Sequence, residues 1–269
     1  MSRSISLPMY DFDEVQPSTD ALLMAIVGAV RELGEDVVAG NASDLEHSSL
    51  TAYWASDEMY MSQSCGLPYL EELHEVVDVL GTFLWDGISD GAGNYRTHIV
   101  VRGEHEATEI MELRGARPVV SNPQSLSGWC SLGCALAGVT NDPNFVQPYL
   151  IGHNHVGSIQ LLQDGIADVA SIDPATFQLL RRHRPSLVHG LRTIGSGPLT
   201  PATPIIVNKE RRTSLDNLRD ALHQVFAQDS LTSAIDDLGI VGFVNLDGDD
   251  YAPVHELVAL AETVLPRRE

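Results

Sequence analysis

Strand-like and helix-like segments alternate along the whole chain, and this alternation limits the possible folds more than any other feature of the sequence. Residues 4–10 alternate apolar and polar side chains, and residues 17–33 then carry apolar side chains at helical spacing. The same order returns later, where a strand at residues 167–172 precedes a helix at residues 175–183. Strands that alternate with helices predict an α/β fold of mostly parallel sheets covered by helices.

The length of 269 residues predicts two lobes, each with enough apolar material for its own core. Two segments have the character of passages between the lobes, namely the strand at residues 97–102 and the Gly/Pro/Thr-rich link at residues 195–204. We therefore predict lobe 1 from residues 1–98 and 196–269, and lobe 2 from residues 99–195. Such a two-crossing hinge would place a ligand between the lobes, at the carboxyl ends of strands.

The formal net charge of −21 restricts the partners that the chain can bind. Nucleic acids and anionic membranes need lysine and arginine to neutralise their phosphates, so we expect no nucleic acid and no membrane insertion. A small anionic ligand would need donors in direct contact to overcome the long-range repulsion. The N-terminal segment lacks the apolar core of a secretory signal. This predicts a cytoplasmic location for the chain as written, or a periplasmic one for a processed form.

The segment NPQSLSG at residues 122–128 is the strongest candidate for a ligand contact, because it joins a predicted strand to a predicted helix. A helix start presents unpaired N–H groups and a partial positive charge. Ser125 and Ser127 add hydroxyl donors, and Gly128 lets an anion approach the backbone closely. The N–H groups of Gly128 and Trp129 are the expected backbone donors. Simple capping of the helix by one of the serines explains the pattern equally well.

A second strand-to-helix segment, SQSCG at residues 62–66, offers Ser62 and Ser64 in the other lobe. Helix capping is again the alternative explanation. Tyr10 ends the first strand, where open α/β sheets place ligand contacts, although packing in the core is an alternative role.

His153, His155 and Asp173 invite a metal-binding or acid–base interpretation, but the His-x-His spacing with a distant aspartate is too weak for a metal site. We prefer a histidine at a helix start that donates to an anion. Tyr95 and Arg96 lie at the predicted first passage between lobes. Arg96 could pair with an anion in a bidentate manner, and a salt bridge is the simpler alternative.

Several motifs of other functional classes do not occur in the sequence. It has no GxxxxGK[ST] P-loop, no GxSxG nucleophile elbow and no CxxC pair. Its cysteines, Cys65, Cys130 and Cys134, are too few and odd in number for a disulfide framework, and we predict small buried side chains at these positions. No metal and no other cofactor is expected.

Seven segments spread over most of the chain resemble, in order and spacing, the phosphate/phosphite/phosphonate-binding proteins of ABC transporters. The resemblance implies the type-2 periplasmic-binding-protein fold, a small oxyanion as ligand and an ABC transporter permease as a partner. The matching segments are SLPMYD (6–11), MSQSCGLPY (61–69), LGTFLWD (80–86), YRTHIVVR (95–102), LRGARPVVSNPQSLSG (113–128), HVGSIQLLQDGIADVASID (155–173) and LRTIGSGPLTPATPIIV (191–207).

The resemblance also assigns roles to individual residues. The Ser-x-Ser-Gly helix start of that family binds the phosphonate oxygens, and the family histidine that precedes the next Ser-Ile/Leu helix falls on His155 and not on His153. Asp173 falls where the family often has a polar residue near the hinge. The other positions implied as ligand contacts are Ser125, Ser127, Gly128, Tyr10, Tyr95 and Ser64.

One departure from the family bears on the ligand. Members that bind aminoalkyl phosphonates carry a carboxylate shortly after the position of Asp173, where this chain has Pro174 and Ala175. Recognition of a ligand amine is therefore not expected. We predict a solute-binding protein that captures a phosphate, phosphite or phosphonate by hinge closure and performs no catalysis.

Two other functions stay open on the sequence alone. The first is a cytoplasmic sensor or regulatory module that uses the same site for another ligand. The second is an enzyme on the same fold, related to thiamin-pyrimidine synthesis, for which the candidate residues are His153, His155, Asp173 and Cys65.

Overall fold

The computed structural model describes residues 2–42, 45 and 47–267. The chain forms two compact units, unit 1 from Met1–Asn94 and Pro201–Ala252, and unit 2 from Tyr95–Thr200 and Pro253–Glu269. Each unit contains one β-sheet together with helices. The predicted α/β class with two sheet-containing lobes is confirmed.

Strands and helices alternate along much of the chain, as predicted, but the first strand ends at Ser6 and not at residue 10, and the strand Leu150–Ile151 and the helix Thr232–Leu238 were not predicted. The strands are β1 (Arg3–Ser6), β2 (Val37–Ala39), β3 (Met59–Gln63), β4 (Val77–Trp85), β5 (Asn94–Arg102), β6 (Pro118–Val120), β7 (Leu150–Ile151), β8 (Val169–Ile172), β9 (Leu191–Pro201), β10 (Pro204–Asn208) and β11 (Ile240–Asn245). The α-helices are α1 (Gln16–Glu32), α2 (His47–Trp54), α3 (Gly66–Pro68), α4 (Ser131–Ala137), α5 (His155–Gln163), α6 (Pro174–His183), α7 (Pro185–Val188), α8 (Leu215–Phe226), α9 (Thr232–Leu238), α10 (Gly248–Tyr251) and α11 (Val254–Glu262). Two π-helical turns, Tyr69–Leu73 and Leu126–Cys130, and two 3₁₀ turns, Ile110–Glu112 and Asp229–Leu231, complete the order.

Unit 1 is built on a six-stranded sheet in the order β11-β4-β10-β3-β1-β2. Strand β1 runs parallel to β2 and β3, whereas β10 is antiparallel to β3 and β4, and β11 is antiparallel to β4. Helix α1 packs against β2, α8 and α9. It begins with Pro17 in its first turn, where a missing N–H costs nothing, and Gly34 with a φ of 87° follows its end.

Unit 2 is built on a five-stranded sheet in the order β7-β6-β8-β5-β9. Strands β7, β6 and β8 run parallel to one another, and β5 is antiparallel to β8. Helix α11 packs against α4 at a close approach, because a Cβ added at Gly133 would lie 2.6 Å from the Cβ of Ala261. Because β7, β6 and β8 run parallel, they end at the same edge of this sheet, and their helices follow at that edge.

The structure corrects three details of the predicted organisation. The sheets are mixed and not mostly parallel, because the strands next to the passages between units run antiparallel to their neighbours. Residues 253–269 belong to unit 2 and not to lobe 1, so the chain passes between the units three times and not twice. The link predicted at residues 195–204 is mostly strand, since β9 continues to Pro201. The glycine and proline residues of this segment do not interrupt the strand, because pairing with the neighbouring strand overrides their preference for turns.

Asp168, just before β8, ties the sheet of unit 2 together through two arginines. Its carboxylate accepts hydrogen bonds of 2.8 Å from Arg117 Nε and from the Arg117 backbone N–H, and Arg102 Nη2 lies 3.3 Å away. The hydrogen bonds from Arg117 hold the pKa of Asp168 well below its ordinary value. This carboxylate therefore stabilises the fold above its unfolded pKa of about 4, and the stabilisation is lost as the pH falls through the native pKa.

We expect Asp168→Asn to lower the free energy of unfolding by roughly 2 kcal/mol at pH 7, because hydrogen bonds to a charged group are lost. The variant should also lose less stability than the wild type as the pH falls below about 4. Thermal unfolding followed at several pH values between neutral and strongly acidic measures both effects. Parallel curves for the two proteins at every pH would contradict this prediction.

Candidate functional site

Three helices of unit 2 begin where the three parallel strands end, and this convergence forms the candidate site. After β6 the chain passes through residues 121–125 into the π turn Leu126–Cys130 and α4. Strand β7 leads into α5 with Asn154 as its N-cap, and β8 leads directly into α6 with Asp173 as its N-cap. Helix starts carry a partial positive charge and unpaired N–H groups. Three such helix starts therefore lie at one edge of the sheet.

The corner at residues 121–128, called the serine corner below, is the most constrained of these starts. Ser125 is the N-cap, and its Oγ accepts the N–H of Gly128 at 2.9 Å. The Ser125 carbonyl accepts the N–H groups of Trp129 at 3.1 Å and of Cys130 at 3.0 Å. The expected backbone donors, the N–H groups of Gly128 and Trp129, are thus already used inside the corner. The N–H of Ser127 has no acceptor among the described residues and is the better candidate.

Gly128 is required by the space around it and not by its backbone angles. A Cβ at this position would lie 2.2 Å from Ser121 Oγ and 3.0 Å from the Ser121 backbone nitrogen. These separations are far below van der Waals contact, so no side chain fits without displacement of the corner. Ser121 itself is buried, and its Oγ has no hydrogen-bond partner among the described residues. Sequence reasoning did not select Ser121, although a serine at the end of a β-branched strand was a visible signal.

Ser127 and His155, which the resemblance implies as ligand contacts, meet across two of the helix starts. Ser127 Oγ lies 2.8 Å from His155 Nε2, and the Nδ1 atom of the same imidazole is buried without a partner among the described residues. Burial lowers the pKa of His155, and the carboxylate of Asp173 opposes this shift. The imidazole is therefore neutral at neutral pH, and it acts as a hydrogen-bonding group and not as a charge.

Asp173 has a structural role that its sequence position does not reveal. It is buried, and its Oδ1 accepts the N–H of Thr176 at 2.8 Å, which caps α6. The following Pro174 lacks an N–H, so this helix start has little left to offer an anion. The other two starts carry neutral caps, Ser125 and Asn154. An anion is therefore better accommodated at the starts of the π turn and α5 than at α6.

A relay of buried hydroxyl groups supports the serine corner from the sheet. Ser171 Oγ on β8 lies 2.7 Å from the Ser127 carbonyl and 2.8 Å from Thr97 Oγ1 on β5. Ser171 is the donor in both contacts, and its single hydrogen is shared between the Ser127 carbonyl and Thr97 Oγ1. Sequence reasoning missed both residues. Hydroxyl side chains at inward positions of otherwise apolar strands were the available signal.

We expect Ser171→Ala to lower the free energy of unfolding by about 1–3 kcal/mol, because it leaves the buried Ser127 carbonyl without its donor. Thr97→Val is the matched control. It removes the other end of the relay but keeps the bond to the carbonyl, so its effect should be smaller. Denaturant unfolding of the two variants measures the difference. Equal stability of Ser171→Ala and wild type would show that the relay does not support the corner.

The remaining candidates of unit 2 are Tyr95, Arg96 and His153. Tyr95 is a buried residue of β5, and the neighbouring Arg96 donates from Nη1 to the Gly197 carbonyl at 3.0 Å. Arg96 therefore bonds to a backbone carbonyl and does not form the salt bridge that was the simpler alternative. His153 is exposed and has a φ of 66°, which is uncommon for a residue with a side chain.

Among the candidates of unit 1, Ser62 has a role in the core. Its Oγ lies 2.9 Å from Ser6 Oγ and accepts the indole N–H of Trp54 at 3.1 Å, so we do not retain it as a ligand contact. Ser64 is different, because its buried Oγ has no partner among the described residues. Its backbone N–H donates to the Pro204 carbonyl at 2.9 Å.

Tyr10 lies in a buried aromatic pair. Its ring centroid is 4.4 Å from that of Trp85, and its hydroxyl is 3.4 Å from Thr203 Oγ1. The indole N–H of Trp85 is buried and has no acceptor among the described residues. These two contacts agree with packing in the core, the alternative weighed for Tyr10.

Other kinds of site find little support in the part of the chain that the structure describes. No group of three or more histidine, cysteine or acidic side chains in that part is arranged to hold a metal ion. Cys65, Cys130 and Cys134 are buried and form no disulfide, as predicted. Within the described residues, every helix is too short or too polar to cross a lipid bilayer.

Two α/β units of this topology, with helix starts at the ends of parallel strands, define the class of type-2 solute-binding proteins. Residues 48–251 match the family model described as the periplasmic substrate-binding protein of a phosphonate ABC transporter. The match extends over most of the chain, and the chain belongs to this family. No functionally curated protein matches the chain in sequence.

Solved structures agree with this fold. A binding-protein component of an ABC phosphonate transporter from Pseudomonas aeruginosa superposes with a TM-score of 0.75 and 16% identity, covering 97% of this chain and 86% of that one. PhnD1 from Prochlorococcus marinus in complex with methylphosphonate gives 0.79 and 12%, covering 98% and 99%. XAC2383 from Xanthomonas citri bound to ATP gives 0.71 and 17%, covering 97% of each chain. At these identities the likeness concerns the fold.

Proposed function

We propose that this chain captures a small phosphorus oxyanion of the phosphonate, phosphite or phosphate class at the serine corner of unit 2. The observation that carries the proposal is the contact of Ser127 with His155 between two helix starts whose caps are neutral. The proposed ligand contacts in this unit are the Ser127 N–H and the side chains of Ser125, Ser127 and His155.

The electrostatics favour recognition by dipoles and neutral donors. The arginines Arg102 and Arg117 of unit 2 are engaged with Asp168, and Arg96 is engaged with a backbone carbonyl. With a net charge of −21, the protein repels anions at long range, but salt screens this field over about 8–10 Å. Hydrogen bonds at contact distance are not screened in this way. The site therefore holds an anion by hydrogen bonds that form only at contact distance, and it has no long-range attraction for the anion.

Nothing in this mechanism requires a covalent step. The side chains at the serine corner are hydrogen-bond donors, and Asp173 is used as a helix cap. We propose that the chain binds and releases its ligand unchanged and delivers it to an ABC transporter permease. The periplasm is the corresponding location for that role.

Isothermal titration calorimetry with methylphosphonate, phosphite, phosphate and sulfate tests the proposal. We expect saturable binding of at least one phosphorus oxyanion near micromolar affinity, about −8 kcal/mol, with the ligand recovered unchanged. Sulfate serves as an anion of similar size and shape. Failure of every phosphorus oxyanion to bind, or chemical conversion of the ligand, would refute the proposed function.

A further inference from the structure

We propose that the C-terminal segment, residues 253–267, holds the serine corner in its ligand-binding conformation, and that Trp129 is the positioning residue through which it acts. The inference rests on the proposed function and extends it to a part of the chain outside the serine corner. It follows from the hydrogen-bond register of the helix start and from the contacts between Trp129 and the end of the chain.

The serine corner leads into α4 through a π turn, in which backbone N–H groups bond to carbonyls five residues back. The Cys130 N–H donates to the Ser125 carbonyl at 3.0 Å. The Ser131 N–H likewise donates to the Leu126 carbonyl. Such turns are rare, and they occur frequently at functional sites. An α-helical start would rotate the corner by about 100° relative to α4, the angle that one helical residue spans. The position of Ser127 therefore depends on the contacts that maintain the π turn.

The side chain of Trp129, inside this turn, is fixed by the C-terminal segment. Trp129 is fully buried, and its Nε1–H donates to the Leu265 carbonyl at 2.9 Å, across 136 residues of sequence. The Arg267 guanidinium lies over the same indole, 4.7 Å from the ring centroid, which is a cation–π contact. A change from π to α register would rotate Trp129 relative to both partners. The two contacts therefore favour the π turn.

The two partners of the indole are held in place by the end of α11. The Leu265 N–H donates to the Ala261 carbonyl at 2.9 Å. Glu262 accepts hydrogen bonds from Arg267 Nε at 2.7 Å and from the Arg267 backbone N–H at 3.0 Å. Helix α11 itself packs on α4. The chain end is therefore an ordered support for the π turn, and a change in its contacts with the indole should reach the ligand donors of the corner.

Trp129→Phe tests the inference, because it keeps a buried aromatic ring and removes the indole N–H. We expect methylphosphonate, phosphite and phosphate, whichever bind the wild type, to bind this variant about tenfold more weakly in titration calorimetry. Tyr251→Phe is the matched control in unit 1, since it also removes a buried aromatic donor, which bonds to the Ala202 carbonyl at 2.6 Å. Both variants should lower the Tm by a few degrees, and the control should keep the wild-type affinity.

Wild-type affinity in Trp129→Phe, or equal losses of affinity in Trp129→Phe and Tyr251→Phe, would overturn the inference and leave the proposed function intact. Failure of the wild type to bind any of the three phosphorus oxyanions would instead overturn the proposed function.

Arg267→Ala is a milder second variant, which tests the inference even where Trp129→Phe does not fold. It removes the cation–π contact, and we expect a loss of affinity of about two- to fivefold. Arg114→Ala is its matched control, because it removes the same charge and a similar contact over Phe145, 4.9 Å from the ring centroid, in the same unit. Equal affinities of the two arginine variants would overturn the inference.

Hydrogen exchange gives a readout that a purely structural role of Trp129 would not change. Coupling between two sites is reciprocal, so a segment that favours ligand binding is itself stabilised by the ligand, and by the same factor. We expect saturating methylphosphonate to slow exchange of the Val264 and Leu265 amides about tenfold more in wild type than in Trp129→Phe. Equal slowing in the two proteins would assign Trp129 to packing alone and overturn the inference.

Discussion

Replacement of Ser125 and Ser127 together by alanine is expected to weaken the binding of methylphosphonate or phosphite by at least ~100-fold. Each hydroxyl would lose a hydrogen bond to a charged ligand, about 1.5–3 kcal/mol apiece, and every 1.4 kcal/mol is roughly tenfold in affinity. Ser127→Ala also removes the partner of His155 Nε2. Titration calorimetry of the purified variant measures the loss directly.

The double variant also loses a helix cap, and this effect must be separated from the loss of ligand contacts. Ser125 accepts the Gly128 N–H, so its replacement should lower the free energy of unfolding by about 1 kcal/mol. Ser214→Ala is the matched control, because Ser214 caps α8 of unit 1 and its Oγ accepts the N–H of Asn217 at 3.3 Å. We expect that control to lose about as much stability as Ser125→Ala, with unchanged affinity. Wild-type affinity in the double variant would disprove the proposed site.

Gly128→Ala is expected to have the second large effect, on both stability and affinity. The added methyl group would lie 2.2 Å from Ser121 Oγ and 3.0 Å from Ser125 Oγ, so the corner must open. Overpacking of this kind costs about 1–3 kcal/mol of stability. A displacement of about 1 Å in a positioned donor set can reduce its effect ~100-fold, and we expect a loss of affinity of that order.

Two other glycines of unit 2 distinguish a local effect from general destabilisation. Gly133→Ala would bring its methyl group to 2.6 Å from Ala261 Cβ, at the packing of α4 on α11 and away from the helix start. It should destabilise the protein and leave the affinity within about threefold of wild type. Gly138→Ala at the end of α4 meets nothing closer than 3.4 Å and should change neither property. Equal losses of affinity in Gly128→Ala and Gly133→Ala would show that the corner is not a specific binding element.

Much of the fold could be predicted because it depends on local patterns. The apolar spacing of residues 17–33 predicted α1 to within one residue at each end. The alternation of strands and helices predicted the α/β class, since each element must bury one face. The serine corner was also visible locally, as a strand followed by a serine-rich turn and a helix. Its role as a ligand site stays a prediction.

Other features depend on residues that are distant in sequence, and no local pattern contains them. The C-terminal segment 253–269 joins unit 2 through the packing of α11 on α4, which sequence order alone had placed with lobe 1. The antiparallel course of β5 and β10 depends on which strands pair, and pairing is a property of the sheet. The assignment of Ser62 to the core required its contacts with Ser6 and Trp54.

The sequence by itself determined the class of the chain, the positions of its helix starts and the neutral, hydroxyl-rich character of the serine corner. Local hydrogen bonding within the corner uses the N–H groups of Gly128 and Trp129, as the capping interpretation of the sequence allowed. Only the tertiary structure decided what surrounds the corner. It also brought His155 onto Ser127 and Ser171 beneath it, over sequence separations of 28 and 44 residues. The physical reason is that parallel strands gather their carboxyl ends at one edge of a sheet, whatever the length of chain between them.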